Sequence, residues 1–369
     1  MTAWRAYGGR GAVGVWLVGA RGPVATTAIA GAAALGAGLV RPTGCVTARR
    51  EFASLDLPRF DDLVFGGHDD TGTGLLEGAE RLAEEGVMPP GLPRLVREGL
   101  LAAEKEIRPG APGTGGARCQ EETVRALTED LLSFRRRHGL ARVVVVDLSS
   151  PGPAVPRHPA HASLSELRRA LTAGEDVLPA GSLYACAALR ADCSYVGFTP
   201  SAGLRLPALR ELAAERGLPY AGGAGRTGQA LLRSVLEPVF GLRALTVRSW
   251  SASCPADGEN GNEGESENGS EDGSGREGGD RVTFEGFLGA QVSLEFAWRS
   301  REPVLAAPLV LDLARLMALA DRAGVRGPVP ELAFFFEDPV LDGPAADRRS
   351  PGEQYAALVA WAHGLRVPV

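Results

Sequence analysis

Lysine is all but missing from this 369-residue chain. Lys105 stands alone among 39 basic residues, and the rest are arginine. A mechanism that needs several ammonium groups is therefore closed to it, because a guanidinium does not replace lysine as an acid or base. Cysteine is scarce too: five residues, an odd number, with no CxxC pair. That pattern argues for reduced, mostly buried thiols rather than a disulfide framework. The histidines His158 and His161 sit in a proline-flanked stretch, so no helical metal-binding face is expected. No uncharged apolar run reaches the roughly eighteen residues of a membrane span. The nearest approach, Val13–Val40, is interrupted by Arg21 and six glycines and lacks the layout of a signal peptide. No basic stripe invites nucleic acid. These absences predict a cytoplasmic protein with no metal, no membrane and no nucleic-acid partner.

Hydrophobic residues make up 44% of the chain, enough for a sizeable core in one large or two ordinary domains. The net charge of −6 has one source: residues 255–280 hold nine acidic residues and a single arginine, with no large apolar side chain. Such a segment cannot repay its ordering entropy and is expected to be a disordered linker. The remainder is close to neutral.

The apolar patterning alternates between strand and helix. GVWLVG (14–19) reads as a buried strand and 24–38 as a small-residue helix. Residues 63–65 read as a second strand, with helical periodicity at 75–85 and 93–105 and a Gly/Pro-rich loop at 108–118. Residues 121–138 form an amphipathic helix closed by Gly139. RVVVVDL (142–148) is the continuous β-branched run of a parallel strand buried on both faces. Helices at 163–173, 182–191 and 207–216 alternate with strands at 195–198 and 220–222. The order predicts an α/β fold with a Rossmann-like, doubly wound parallel sheet. Beyond it come a helix (227–240), strand-like sequence at 245–251 and 282–296, a helix (309–323), a last buried strand at LAFFF (332–336) and a closing helix (353–364).

The most informative local chemistry is Gly19-Ala20-Arg21-Gly22-Pro23-Val24-Ala25-Thr26-Thr27, which follows a strand and opens a helix. A helix start in that position offers free N–H groups and the positive end of a dipole to a pyrophosphate. Gly19 permits the tight turn, and Ala25 lets the helix pack on its strand. Arg21 occupies a position that is usually glycine; it either swings out and pairs with phosphate or blocks the site. After the second strand comes GGHDD (66–70), where Asp69 is a candidate for a ribose hydroxyl pair or, alternatively, a turn or cap residue.

Taken in order, these segments resemble the inositol-3-phosphate synthase family. The glycine turn is similar to the family's G-x-G-G-x-x-G-S-T, and LVFGGHDD to its V-x-S-G-W-D-I. LARVVVVDLSS is similar to the strand before its T-A-N-T, which places Ser149 and Ser150 against the cofactor. LPAGSLYACAAL and YVGFTPSAG resemble its A-P-S…Y-A-x-A-A helix and N-G-S-P-Q-N-T loop, which brings in Thr199. GLPYAGGAGRTGQALLRSVL resembles G-D-D-x-K-S-G-Q-T-x-L-K-S-V-L, with Arg226, Thr227 and Gln229. VLAAPLVLDLARL carries Asp312, and LAFFFEDPV carries Glu337.

The resemblance implies an NAD-dependent isomerase that converts a sugar phosphate, glucose 6-phosphate or a relative, to a cyclitol phosphate. In that chemistry NAD oxidises C5, the C6 proton is lost, the enolate attacks the C1 aldehyde, and the hydride returns. It further implies a homo-oligomer, usually a tetramer. Residues 1–228 would form the NAD-binding domain, 229–311 an inserted catalytic and oligomerisation domain, and 312–369 a returning segment. The cofactor residues would be Gly19, Arg21, Gly22, Ala25, Thr26, Thr27, Asp69, Ser149 and Ser150. Thr199, Thr227 and Gln229 would bind substrate, and Arg226, Asp312 and Glu337 would be catalytic.

The chain departs from the family where positive charge is needed. Arg226 and Glu337 stand at lysine positions, and Gly223 and Ala224 stand at aspartates. Asp312 is either functional or paired with an arginine such as Arg315. Two other functions therefore stay open: a degenerate homologue with a scaffold or regulatory role, and a plain NAD-dependent oxidoreductase.

Overall fold

The run of four valines before Asp147 ends up at the centre of a sheet covered on both sides. The computed structural model describes residues 11–111, 119–150, 152, 156–253, 276–341 and 349–366. The chain runs through β1 (Val13–Val18), α1 (Pro23–Gly36), β2 (Leu63–His68), α2 (Leu75–Glu84), α3 (Leu92–Leu95), α4 (Arg97–Glu104), β3 (Ile107–Arg108) and α5 (Gln120–Arg137). It continues as β4 (Arg142–Asp147), α6 (Leu164–Thr172), α7 (Ala180–Arg190), β5 (Ser194–Gly197), α8 (Pro207–Arg216) and β6 (Pro219–Gly222). The last part is α9 (Gly228–Leu242), β7 (Thr246–Ser253), β8 (Arg276–Glu285), β9 (Gln291–Ser300), α10 (Glu302–Arg322), β10 (Gly327–Pro328) and α11 (Pro351–Gly364).

Seven strands form one parallel sheet in the order β10-β6-β5-β4-β1-β2-β3. Val13 of β1 lies between Leu63 of β2 and Arg142 of β4, so the strand order reverses direction at β1 and β4. Side chains alternate between the faces, as a strand requires. Val15, Leu17, Val144 and Val146 pack against α1 and α10, while Trp16, Val18, Val143 and Val145 pack against α5 and α7. Each buried valine contributes on the order of 1.5–3 kcal/mol. Alanines at 25, 28, 30, 32 and 34 are buried on α1, which lets α10 approach closely. Helix α10 is long and apolar enough to cross a membrane, yet residues 310–320 are all buried inside the fold.

Three findings differ from the sequence expectations. LAFFF is not a strand: Pro330–Phe335 is a 3₁₀ turn, with Pro330 at its start. Its three-residue repeat places Leu332 and Phe335 on one buried side. The helix expected at 93–105 breaks at Val96, whose backbone is not helical and whose side chain turns inward. Residues 276–280, expected in the disordered linker, form the first half of β8, paired on one side with Ser253–Ala252 and on the other with Ser300–Phe296. The rest of that expected linker, up to residue 275, lies outside the described residues, as does most of the 108–118 loop.

Between α9 and α10 the chain leaves the parallel sheet and builds a three-stranded antiparallel sheet, β7-β8-β9. Helix α9 lies against it through Phe240, stacked on Phe284 at 4.6 Å, and through Arg233 over the Trp250 ring at 5.4 Å.

Candidate functional site

The carboxyl ends of β1, β2 and β4 lie side by side where the strand order reverses, the place where open α/β sheets form a ligand-holding crevice. At its floor β1 turns into α1. Gly19 has a left-handed φ of +77°, and its N–H and that of Ala20 both donate to the His68 carbonyl, at 2.9 and 3.2 Å. A side chain at Gly19 would also press on the Leu148 carbonyl, 3.4 Å away. Gly22 is the N-cap of α1, with no side-chain cap, Pro23 next and no acidic residue in the first turn. Thr26 N–H returns to the Gly22 carbonyl at 2.9 Å, so the amides of Val24 and Ala25 have no acceptor within the helix.

Ala25 and Thr26 are buried against the sheet. The Thr27 hydroxyl is buried without a hydrogen-bond partner among the described residues. Uncapped amides, an orphaned hydroxyl and a glycine turn suit a dinucleotide pyrophosphate. Asp69 follows β2 directly. Its Oδ2 accepts the Arg21 N–H at 2.8 Å, and its Oδ1 accepts from Thr71 N and Oγ1 at 2.7 and 2.6 Å. The Arg21 side chain swings out of the turn to Glu104 and the Thr71 carbonyl.

The wall of the crevice is organised by a residue that sequence reasoning missed. Asp147, the last residue of β4, is fully buried. Oδ1 accepts from Ser149 N at 3.0 Å and Ser149 Oγ at 2.5 Å; Oδ2 accepts from Tyr195 OH at 2.8 Å and Ser201 Oγ at 3.4 Å. One carboxylate thus ties the loop after β4 to the loop after β5. Burial pushes Asp147 above the usual carboxylate range, against the pull of those donors, and burial with the adjacent carboxylate pushes Tyr195 well above the usual phenol value. The only hint in the sequence is an aspartate closing a run of valines. A second missed group is His68, buried at the end of β2. The Trp16 indole donates to its Nδ1 at 2.9 Å, so Nε2 carries the hydrogen toward Asp130 Oδ2 at 3.2 Å.

A second cluster lies past β5 and β6. Thr199 has a buried hydroxyl with no partner among the described residues. Arg226 N–H donates to the Phe335 carbonyl at 2.8 Å, while its guanidinium donates to Gln354 Oε1 at 2.8 Å and to the Phe336 carbonyl at 2.6 Å. Glu337 N–H donates to the Ala224 carbonyl at 2.8 Å, and its side chain is exposed. Ser150 is exposed at the rim.

The remaining expected site residues sit elsewhere. Thr227 is buried at the N-cap of α9, but its hydroxyl donates to Glu302 Oε1 at 3.0 Å rather than capping the helix. Gln229 is the second residue of α9. Asp312 accepts from Val46 N at 2.5 Å, from Thr47 N at 3.1 Å and from the Thr47 hydroxyl, which in turn accepts from Arg315. The arginine pairing left open by the sequence is therefore made through Thr47, and these contacts pin residues 46–47 onto α10.

A parallel sheet whose first strand turns through glycine into an uncapped helix, with an acidic residue after β2, defines a Rossmann-like α/β protein. The sequence model of the myo-inositol-1-phosphate synthase family matches residues 13–363, and the chain belongs to that family. It is similar to inositol-3-phosphate synthase 1 of Bacteroides thetaiotaomicron, at 26% identity over 90% of each chain. Its fold is similar to the crystal structure of inositol-3-phosphate synthase from Caenorhabditis elegans, with a TM-score of 0.79, 16% identity, and coverage of 96% of this chain and 85% of that one. It is also similar to a myo-inositol-1-phosphate synthase-related protein from Thermotoga maritima, with a TM-score of 0.72, 22% identity, and coverage of 97% of this chain and all of that one.

Proposed function

We propose that the chain binds NAD at the β1–α1 turn and acts as a cytoplasmic isomerase of the inositol-3-phosphate synthase type, taking a sugar phosphate to a cyclitol phosphate. The observation that carries this reading is the turn itself: Gly19 at positive φ, free amides at Val24 and Ala25, and the unpartnered Thr27 hydroxyl. Gly19, Gly22, Ala25, Thr26 and Thr27 would hold the pyrophosphate, Asp69 a ribose, and Ser149 and Ser150 the crevice wall. Bound there, the nicotinamide supplies a hydride acceptor that can later give the hydride back. Thr199 would face the sugar, and Arg226 would supply a fixed positive charge toward its phosphate or a developing oxyanion; Thr227 and Gln229, at the start of α9, are assigned to substrate by the resemblance alone.

One observation favours a second reading, in which the nucleotide is kept and cyclisation is lost. Glu337 brings a negative charge where the resemblance places a lysine, and the Arg226 guanidinium is engaged by Gln354 and the Phe336 carbonyl. Losing one oxyanion-stabilising group costs about 10²–10³ in rate. Mass analysis of nucleotide released by denaturing the purified protein, followed by incubation with glucose 6-phosphate, separates the cases. Released NAD with an inositol phosphate product supports the first reading, and released NAD without product supports the second. A protein that neither carries nor binds nucleotide refutes both.

We also infer assembly into a homo-oligomer through α9 and the antiparallel sheet, a tetramer by family resemblance. Leu231, Val235, Val239 and Leu242 form an exposed stripe along α9, and Phe287 and Leu288 at the β8–β9 connection are 87% and 89% exposed. Apolar surface of this kind marks a contact face. Val235→Glu with Leu242→Glu should lower the assembly mass in light scattering; an unchanged mass removes this face from the interface.

A further inference from the structure

Arg21 stands where the dinucleotide turn normally has glycine, and its side chain has a defined destination. Nη1 donates to the Thr71 carbonyl at 2.9 Å, and Nε and Nη2 donate to Glu104 Oε1 at 3.1 and 2.6 Å. The other oxygen of Glu104 accepts the Leu75 N–H, the first of α2, at 2.7 Å. Glu104 is itself the last residue of α4, so the carboxylate that captures Arg21 is fixed by two helices. The ion pair is only 20% and 27% exposed, which leaves it less screened than a surface pair.

Asp69 and the Arg21 guanidinium therefore meet the same short segment: Asp69 through Thr71 N and Oγ1, Arg21 through the Thr71 carbonyl. A carboxylate after this strand accepts ribose hydroxyls, whereas an arginine nearby accommodates a 2′-phosphate. This chain has both groups in place, and a third charge decides between them.

We propose that Glu104 sets the cofactor's ribose specificity by masking Arg21. With the guanidinium neutralised, two carboxylates outnumber one cation around Thr71. The pocket accepts a free 2′-hydroxyl and repels a 2′-phosphate. Loss of the Glu104 charge releases a guanidinium able to grip a phosphate with two parallel N–H bonds. The inference rests on nucleotide binding at the β1–α1 turn.

The test is calorimetric titration of the full-length protein, Glu104→Gln, Arg21→Ala and the double variant with NAD and with NADP. Glutamine keeps an acceptor for the Leu75 N–H. The wild type should prefer NAD, and Glu104→Gln should raise the NADP-to-NAD affinity ratio by about ten- to a hundredfold, the range of a single charge-assisted bond. The double variant should lose most of that rise, because no guanidinium remains to be released. A ratio in Glu104→Gln within about twofold of wild type, with NAD still bound, overturns the masking and leaves the nucleotide site standing. Absence of heat with either nucleotide in the wild type overturns the site and the masking together. If Glu104→Gln does not fold, Arg21→Ala decides alone. A masked arginine predicts a wild type that prefers NAD and keeps that preference in Arg21→Ala, whereas a wild type that binds NADP as tightly as NAD, with that affinity lost in Arg21→Ala, shows that Arg21 was already serving phosphate.

Discussion

Tyr195 donates its phenolic hydrogen to Asp147 at 2.8 Å, and through that bond β5 and β4 share one buried carboxylate at the mouth of the crevice. Tyr195→Phe removes one of its donors and should cost about 1–3 kcal/mol in urea unfolding. Asp147→Ala leaves several buried donors without an acceptor and should cost more, about 3 kcal/mol or above. Nucleotide affinity should fall in Tyr195→Phe as the Ser149 loop loosens. Wild-type affinity in a destabilised Tyr195→Phe protein would show that the bond serves the fold alone.

Stability should carry the signature of Asp312. Burial raises this carboxyl to about 6, against the hydrogen bonds of Thr47 and Val46 and the Arg315 charge, which lower it. An unfolded aspartate ionises near 3.9. Between those values the folded protein keeps a proton that the unfolded chain has lost, so stability falls as pH rises from about 4 to about 6. The span corresponds to about 3 kcal/mol. Wild type should lose this much relative to Asp312→Asn across that window. Parallel pH profiles for the two proteins would assign the titration to another group.

The crossing of β2 behind the glycine turn leaves no room for a methyl group. A Cβ at Gly67 would lie 2.2 Å from the Leu17 carbonyl and 2.5 Å from the Ala20 side chain. Gly67→Ala should destabilise by about 3 kcal/mol and abolish nucleotide binding, because the clash falls on backbone. Gly72→Ala, with open space around it, serves as the control. Equal melting temperatures for the two variants would mean that the turn yields more readily than its contacts imply.

Arg226 and Gln354 should be energetically coupled. Their 2.8 Å bond joins the segment after β6 to the closing helix α11, and Gln354 is buried. A double-mutant cycle with Arg226→Ala and Gln354→Ala should give a coupling of about 0.5–3 kcal/mol. In a protein that also binds sugar phosphate, Arg226→Ala should weaken that binding more than Gln354→Ala does. Identical losses would confine Arg226 to holding α11.

The fold was legible in the sequence because its determinants are local. Four consecutive valines mark a strand covered on both faces, Pro207 opens α8, and Gly139 and Gly217 close their helices at positive φ. The glycine turn, and the position of Asp69 directly after β2, were legible for the same reason. The partnerships that organise the site are not local. Asp147 meets Tyr195 and Ser201 from 48 and 54 positions away, and Arg21 meets Glu104 from 83. No periodicity encodes such pairs. LAFFF misled because five apolar residues satisfy a strand and a buried 3₁₀ turn equally well. The start of β8 was hidden because its glycines and charges gain order only by pairing with β9 and, from Gly279 on, with β7 as well.

The single lysine acquires a practical meaning from its position. Lys105 is exposed and follows Glu104 directly at the end of α4, so the chain presents one ε-amine, next door to the Arg21 ion pair. A fluorophore attached by amine chemistry would report from the edge of the crevice without any engineered cysteine, turning a compositional poverty into a built-in attachment point for following occupancy.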